Sequence, residues 1–480
     1  MAVTIPGGAT TGSPNITLSL GTGDVLHLAQ QIGALLATVQ GAVAGQNLTF
    51  DSVDGAGGPG PNVPSPSASE LVIANTTPLA ASIPGGWTYV VQTGPAPATL
   101  TGTNVDLIPG TVGGVFNVSG NSTVAPNGGN NTVNATGTYL LSFGPGNDLV
   151  LANGVGTVAT SDAGASTVIA SGSNLIESFG SGDLINAVIG SNTVDGAGTN
   201  STIAGSSGDL TINITGTGEI IQPNGAVLVG TLGGSGNLIY PGTASVDVTI
   251  TGSNDTVVGS SAPTTVDAVG SGVIFGGSGA LTFVGGAGTS TILSGAGGTN
   301  NIAGGSGGVV FSANSGSTST ITGGTGTTTI FGGSGSLVNF NSSLAGGFMV
   351  ASGGNETLNA AGSSAAVTFS GGAVGGNASM VGSTTGDVFF AGNGSDTLTG
   401  NGGADSISFI ASNTNGGKDF ITDFNSEDSL FLTGYDSTKT TFSSGGPLTM
   451  TLSDSTTITF TNLTDQSQLN GHYLYVTPSA

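Results

Sequence analysis

Three aspartates, Asp387, Asp396 and Asp405, stand nine residues apart in a chain of 480 residues. Each closes a short turn, and two of the turns are rich in glycine. Gly392-Asn393-Gly394-Ser395 leads into Asp396, and Gly400-Asn401-Gly402-Gly403-Ala404 leads into Asp405. A turn of this kind exposes backbone carbonyls, and the aspartate adds a carboxylate. Such an all-oxygen donor set suits a hard divalent cation such as calcium, which takes six to eight oxygens. Asp387, Asp396, Asp405, Gly392, Gly394, Gly400 and Gly403 are therefore the candidate metal-site residues. No aspartate lies nine before Asp387 or nine after Asp405, where Ala378 and Thr414 stand, so one or two ions are expected.

The apolar residues keep the same step. Phe389, Leu398 and Ile407 are nine apart, as are Ile203, Ile212 and Ile221, and Leu358 and Val367. A longer series runs through Val257, Val266, Phe275, Val284, Leu293, Ile302 and Phe311. Nine residues hold one short strand and one tight turn, so two units make an 18-residue coil of a flattened parallel β-roll. The reading is an all-β chain: a parallel β-solenoid over 101–385 and a β-roll over 386–480 that ends in strands near 450–452, 456–461 and 473–476. The segment 222–250 is less regular and reads as a break between two solenoid stretches. Residues 1–100 are atypical. Helical spacing of Val25, Leu28, Ile32, Leu35, Leu36, Val39 and Val43 predicts one amphipathic helix over 24–43. Pro and Gly predict a linker over 51–69, and 71–74 and 87–91 read as strands. This region is expected to act as a cap or an assembly element.

The two sharp repeats resemble the RTX, or hemolysin-type, calcium-binding nonapeptide Gly-Gly-x-Gly-x-Asp-x-apolar-x. The segment Asp419-Phe420-Ile421-Thr422-Asp423-Phe424, with Asp428, Leu430 and Leu432 behind it, is similar to the closing stretch of many RTX β-rolls. The resemblance implies calcium between turns two repeats apart, which pairs Asp387 with Asp405 on the edge opposite Asp396. It also implies type I secretion through an uncleaved C-terminal signal. The 382–387 turn departs from the glycine pattern. In the central repeats Leu281, Ser290 and Thr328 stand where the aspartate belongs, so most of the solenoid is expected to be metal-free. Asp148, after Gly144-Pro145-Gly146, keeps the position and reads as a turn aspartate or a single calcium site.

Composition narrows the function. The chain has 26 acidic residues, Lys418 and Lys439 as its two basic ones, no cysteine, and a formal charge of −24. Nucleic-acid binding needs basic residues against phosphate and is excluded. There is no basic, apolar N-terminal leader and no apolar run long enough to span a bilayer. His27 and His472, far apart, supply no zinc-protease helix and no evident triad. The expectation is a secreted, non-enzymatic structural protein that self-assembles into a surface layer, filament or biofilm matrix. The alternative is an adhesin or a carbohydrate- or ice-binding protein that uses the Thr-rich stretches 317–322 and 327–329. Self-contacts and cell-surface polysaccharide are the expected partners.

Overall fold

A computed structural model describes residues 75–477 apart from isolated positions, together with four earlier strands, Ala2–Ile5, Ile16–Ser19, Phe50–Val53 and Glu70–Ile73. The predicted helix over 24–43 lies outside the described residues. The predicted linker is corrected at its start: 51–53 belong to strand Phe50–Val53, which pairs in parallel with Glu70–Ile73. The fold is a parallel β-solenoid, nearly all β. It divides into two compact units, 1–244 and 245–480, and the division falls inside the irregular stretch 222–250.

In the first unit the coils are built in two ways. Strands Asn131–Ser142, Leu149–Ala159 and Thr167–Ser178 each run through a corner and pair in parallel along their whole length. From Leu184 onward each coil holds two short strands, and each strand pairs with the next but one. The corner is a glycine column. Gly137, Gly172, Gly190 and Gly208 have φ of +92°, +116°, +90° and +103°, and a Cβ on any of them would strike the backbone of the glycine one coil earlier. Only glycine meets both demands.

The second unit keeps two strands per coil up to Ile421. Its core is built from the inward-facing alternate residues of each strand, with Phe283, Phe311, Phe340, Phe369, Phe389 and Phe409 fully buried. Phe369 and Phe389 stack at 4.9 Å and 4° between ring planes. The nine-residue series is corrected here. Val257, Val266, Ile302 and Phe311 do point inward, but Phe275, Val284 and Leu293 point out, and Ile274, Phe283 and Ile292 take their places. The cause is coil length. Val257 pairs with Ile274 and Val266 with Phe283, steps of 17, whereas Ile292 pairs with Phe311 and Phe283 with Ile302, steps of 19. Each odd step reverses the face presented by a residue counted at nines. The series Ile203, Ile212, Ile221 and Phe389, Leu398, Ile407 are inward throughout, because the coils there have 18 residues.

The last coils lengthen to 23 residues: Ser406 pairs with Ser429 and Thr397 with Phe420. The two steps share one insertion, part of which is a short helix, Ala411–Thr414. The unit ends in strands Leu448–Thr451, Thr457–Phe460 and Tyr473–Val476. Strand Thr457–Phe460 lies parallel to Lys418–Ile421 and antiparallel to Leu448–Thr451.

Candidate cation site in the carboxylate ladders

The aspartate before a strand does a defined local job. Its side chain turns inward and accepts the backbone N–H of the equivalent residue one coil earlier, a donor that the parallel ladder leaves unpaired. Asp405 Oδ1 accepts from Asp387 N at 2.8 Å, and Asp428 Oδ1 accepts from Asp405 N at 3.0 Å. On the other edge Asp396 Oδ1 accepts from Ala378 N at 2.9 Å, and Asp419 Oδ1 from Asp396 N at 2.9 Å. Asp387 and Asp405 thus share one edge and Asp396 lies on the other. All five side chains are buried.

Their second oxygens differ. Asp387 is saturated by its own turn, because Ser383 donates N–H to Oδ2 and its hydroxyl to Oδ1 at 2.9 Å. Ser383 thereby supplies in the 382–387 turn what its missing glycines do not. Asp396 Oδ2 takes Gly392 N–H at 3.0 Å, and Asp428 Oδ2 takes Asn425 N–H at 2.8 Å. Asp405 Oδ2 and Asp419 Oδ2 are buried with no partner. Asp423 lies over the Asp405 turn and accepts N–H from Gly400 at 2.8 Å and Asn401 at 2.7 Å.

Gly400 packs so closely on Asp405 Oδ2 that a Cβ there would overlap it, and Gly403 has φ of +88° with backbone of the previous coil against it. Gly394 has φ of +146°, and Gly392 leaves no room for a Cβ beside the Gly371 carbonyl. Gly392, Gly394 and Gly403 are therefore required by coil-to-coil approach, and Gly400 by the carboxylate of its own turn.

The electrostatics set these turns apart. Burial, with the charges of Asp428, Asp387 and Asp423 adding to it, pushes Asp405 up to about 7 against the bond from Asp387 N–H. Burial raises Asp387, Asp396 and Asp428 as well. Carboxylates in successive coils are one strand spacing apart, about 4.8 Å, where like charges resist joint ionisation. Among the described residues the one lysine–carboxylate pair is Lys439 with Asp436 at 3.4 Å, on the surface. No basic side chain offsets the buried stack.

Sequence reasoning missed Asp419, Asp423 and Asp428 as parts of these edges. Testing nine residues past Asp405 meets Thr414, inside the added helix. The usable signal was the repeated 23-residue step, 396 to 419 and 405 to 428. It also missed a ladder in the first unit. There Asn131 N donates to Asp148 Oδ1 at 2.8 Å, Ser166 N to Asp183 Oδ1 at 2.7 Å, Ser201 N to Glu219 Oε2 at 2.9 Å, and Glu219 N to Asn237 Oδ1 at 2.9 Å. Asp148 is thus a ladder residue as well as a turn residue. Here Ser166 and Ser201 stand between the acids, which keeps them two coils apart. Burial pushes Asp148 up to about 6, with Asn131 opposing and Asp183 adding. A carboxyl raised in the folded state stabilises below its unfolded pKa of 3.8, and that stability is lost as pH rises through about 6. Asp148→Asn is expected to flatten the decline in Tm between pH 4 and 7 in metal-free buffer; an unchanged pH slope contradicts this assignment.

The Thr-rich stretches do not make one hydroxyl face. Strands Thr318–Thr322 and Thr328–Phe331 lie in different sheets, and Thr320 has Asn301 and Asn339 as its lateral neighbours.

A divalent cation fits Asp405 on two observations: the unpartnered buried oxygen and the glycine cradle beside it. Among the described residues no three acidic, histidine or cysteine side chains converge into a metal site, so backbone carbonyls of the glycine turns would complete the coordination. Fold and site together define a β-solenoid with inward carboxylate ladders that are spaced in the first unit and crowded in the last coils. Compared with models of protein families, with curated proteins and with solved structures, the chain matches none.

Proposed function

We propose that the chain is a secreted, non-enzymatic structural protein whose last coils bind calcium and which assembles with copies of itself outside the cell. The observation that carries the calcium reading is Asp405, buried between Asp387 and Asp428 in successive coils with one oxygen unpartnered. Calcium would neutralise that stack and hold the glycine turns. The absence of cysteine and the likeness of residues 380–480 to RTX repeats support export by a type I route.

Self-assembly is supported by one sheet of the second unit. Its outward columns run, in register, through Phe275, Leu293, Phe331, Val350 and Phe390, and through Val273, Val310, Phe348 and Val388. The residues between them in these columns are Thr and Ser, and none is charged. The opposite sheet has a column of Asn301, Thr320, Asn339 and Asn359 beside the exposed Val284 and Leu337. For a chain carrying −24, an uncharged face is where a second copy meets least repulsion. The columns cross seven strands, and four residues on each give roughly 400 Å² per copy, the size of a weak contact that has to be repeated along a polymer.

The test is electron microscopy and sedimentation of purified protein in calcium and in chelator, with Phe331→Lys/Phe390→Lys beside the parent chain. Ordered polymers of the parent in calcium, and at least about tenfold weaker association of the variant, are expected. Monodisperse monomers of the parent in both buffers would refute assembly.

A further inference from the structure

Outside the nonapeptide turns Asp419 and Asp454 form a pair of carboxylates with free oxygens. Asp419 sits at the start of strand Lys418–Ile421, in the last coil that pairs directly with a nonapeptide repeat. Asp454 sits in the tight turn between strands Leu448–Thr451 and Thr457–Phe460, where Ser455 has φ of +75°. The hairpin docks on that coil. Thr457 N donates to Gly417 O at 2.9 Å, Thr461 N to Ile421 O at 2.9 Å, and Gly416 N to Thr456 Oγ1 at 3.0 Å, and Phe460 packs edge-on against Phe424 at 5.3 Å.

Each of the two aspartates uses one oxygen. Asp419 Oδ1 accepts from Asp396 N, and Asp454 Oδ1 accepts from Thr456 N at 2.9 Å. Asp419 Oδ2 and Asp454 Oδ2 are buried without partners. The Asp419 side chain is 1% exposed. Gly416 and Gly417 lie between coil and hairpin: a Cβ on Gly417 would strike the Gly394 carbonyl oxygen and touch Asp419 Oδ2 at 3.4 Å, and one on Gly416 would touch the Asp454 carbonyl oxygen at 3.8 Å. Hydroxyls line the same place, with Tyr435 OH on Thr414 Oγ1, and Thr456 Oγ1 on Thr414 Oγ1 at 3.3 Å. Burial first, and then the charges of Asp396 and Asp454, push Asp419 up to about 7 against the bond from Asp396 N–H, and burial, with Asp454 and Asp419 adding, raises Tyr435.

From this we infer that Asp419 and Asp454 hold a divalent cation between the last coil and the terminal hairpin, clamping the hairpin onto the end of the β-roll. The donors are carboxylate, carbonyl and hydroxyl oxygens, with no nitrogen or sulfur, so the ion is of the calcium or magnesium class. The carbonyl of Asp454, beside Gly416, and the Thr456 hydroxyl, bonded to Gly416 N, are candidate neutral donors. Such a clamp secures the element that covers the growing edge of the sheet, an edge that would otherwise invite strand pairing. The site shares no residue with the Asp405 turn, and each can fail without the other.

The test uses the full chain. Calcium and magnesium binding is counted by calorimetry, and hydrogen exchange is followed over 448–460 with calcium and with chelator. In the parent chain calcium is expected to slow exchange of the hairpin at least tenfold. Asp454→Asn is expected to lose one binding event and the hairpin protection, while keeping the calcium response of the coils around 387–405. Asp405→Asn should do the reverse. An unchanged ion count in Asp454→Asn overturns the clamp, as does hairpin exchange in the parent chain that ignores both ions. Chelator-resistant protection in Asp419→Asn and Asp454→Asn alike would show that the pair shares a proton instead, and also overturns it.

Discussion

Asp405→Asn is expected to make the metal-free protein more stable at pH 8 and the calcium-loaded protein less so. In the parent chain at pH 8, Asp405 is ionised against its will: it is buried, two other carboxylates of its ladder flank it in successive coils, and no basic side chain compensates. A carboxyl raised from 3.8 to about 7 gives its stabilisation below the unfolded value and loses it as pH rises through 7. Metal-free parent protein should therefore melt lower at pH 8 than at pH 5.5. Asparagine keeps an oxygen for the Asp387 N–H and removes the charge. We expect a gain of about 1–3 kcal/mol in chelator at pH 8, read by denaturant unfolding of the second unit. Calcium should stabilise the parent strongly and the variant little. Calcium titrations that superimpose for the two proteins would remove Asp405 from the site.

Phe389→Ala should cost more than any surface change. Phe389 is fully buried, stacks on Phe369 at 4.9 Å, and stands in register between Phe369 and Ile407. It also lies two residues after Asp387, so the cavity opens directly behind the ladder edge. A Phe→Ala change in a packed core costs about 3–5 kcal/mol. A solenoid coil contacts only its neighbours, so the loss should appear as uncoupling near 369–407. Hydrogen exchange there should rise while strands over 255–312 stay protected. Uniform loss across the second unit would mean that its coils unfold as one body.

The two predictions meet in one arrangement. Turn carboxylates fix the register of each edge through backbone N–H groups, and phenylalanines fill the thin core between the edges. Calcium, in our reading, acts in the last coils, where carboxylates follow one another coil after coil, and where the terminal hairpin meets them. In the first unit Asp148, Asp183 and Glu219 alternate with Ser166 and Ser201, so its carboxylates stand two coils apart, although Asp148 Oδ2 and Glu219 Oε1 are also buried without partners.

Composition and period sufficed for much of this. Ninety glycines, no cysteine, 26 acids and a nine-residue step specify a parallel solenoid and locate its acidic turns, because a strand plus a tight turn has a fixed length and only glycine fits the corners. The placement of Asp387 and Asp405 on one edge and Asp396 on the other follows from that period. The facing of individual residues does not. Phe275, Val284 and Leu293 keep the count yet face outward, because coils of 17 and 19 residues shift the pairing by one. That shift is set by three-dimensional strand pairing, which a linear count cannot see. Likewise Asp419 and Asp428 join the ladders only because the fold absorbs five added residues, in part as the helix Ala411–Thr414. The two acidic edges the sequence proposed at three aspartates are, in the folded chain, longer than the motif. What distinguishes their members, an oxygen left over at Asp405 and at Asp419 but none at Asp387 or Asp396, is decided by which N–H groups the tertiary structure brings within reach.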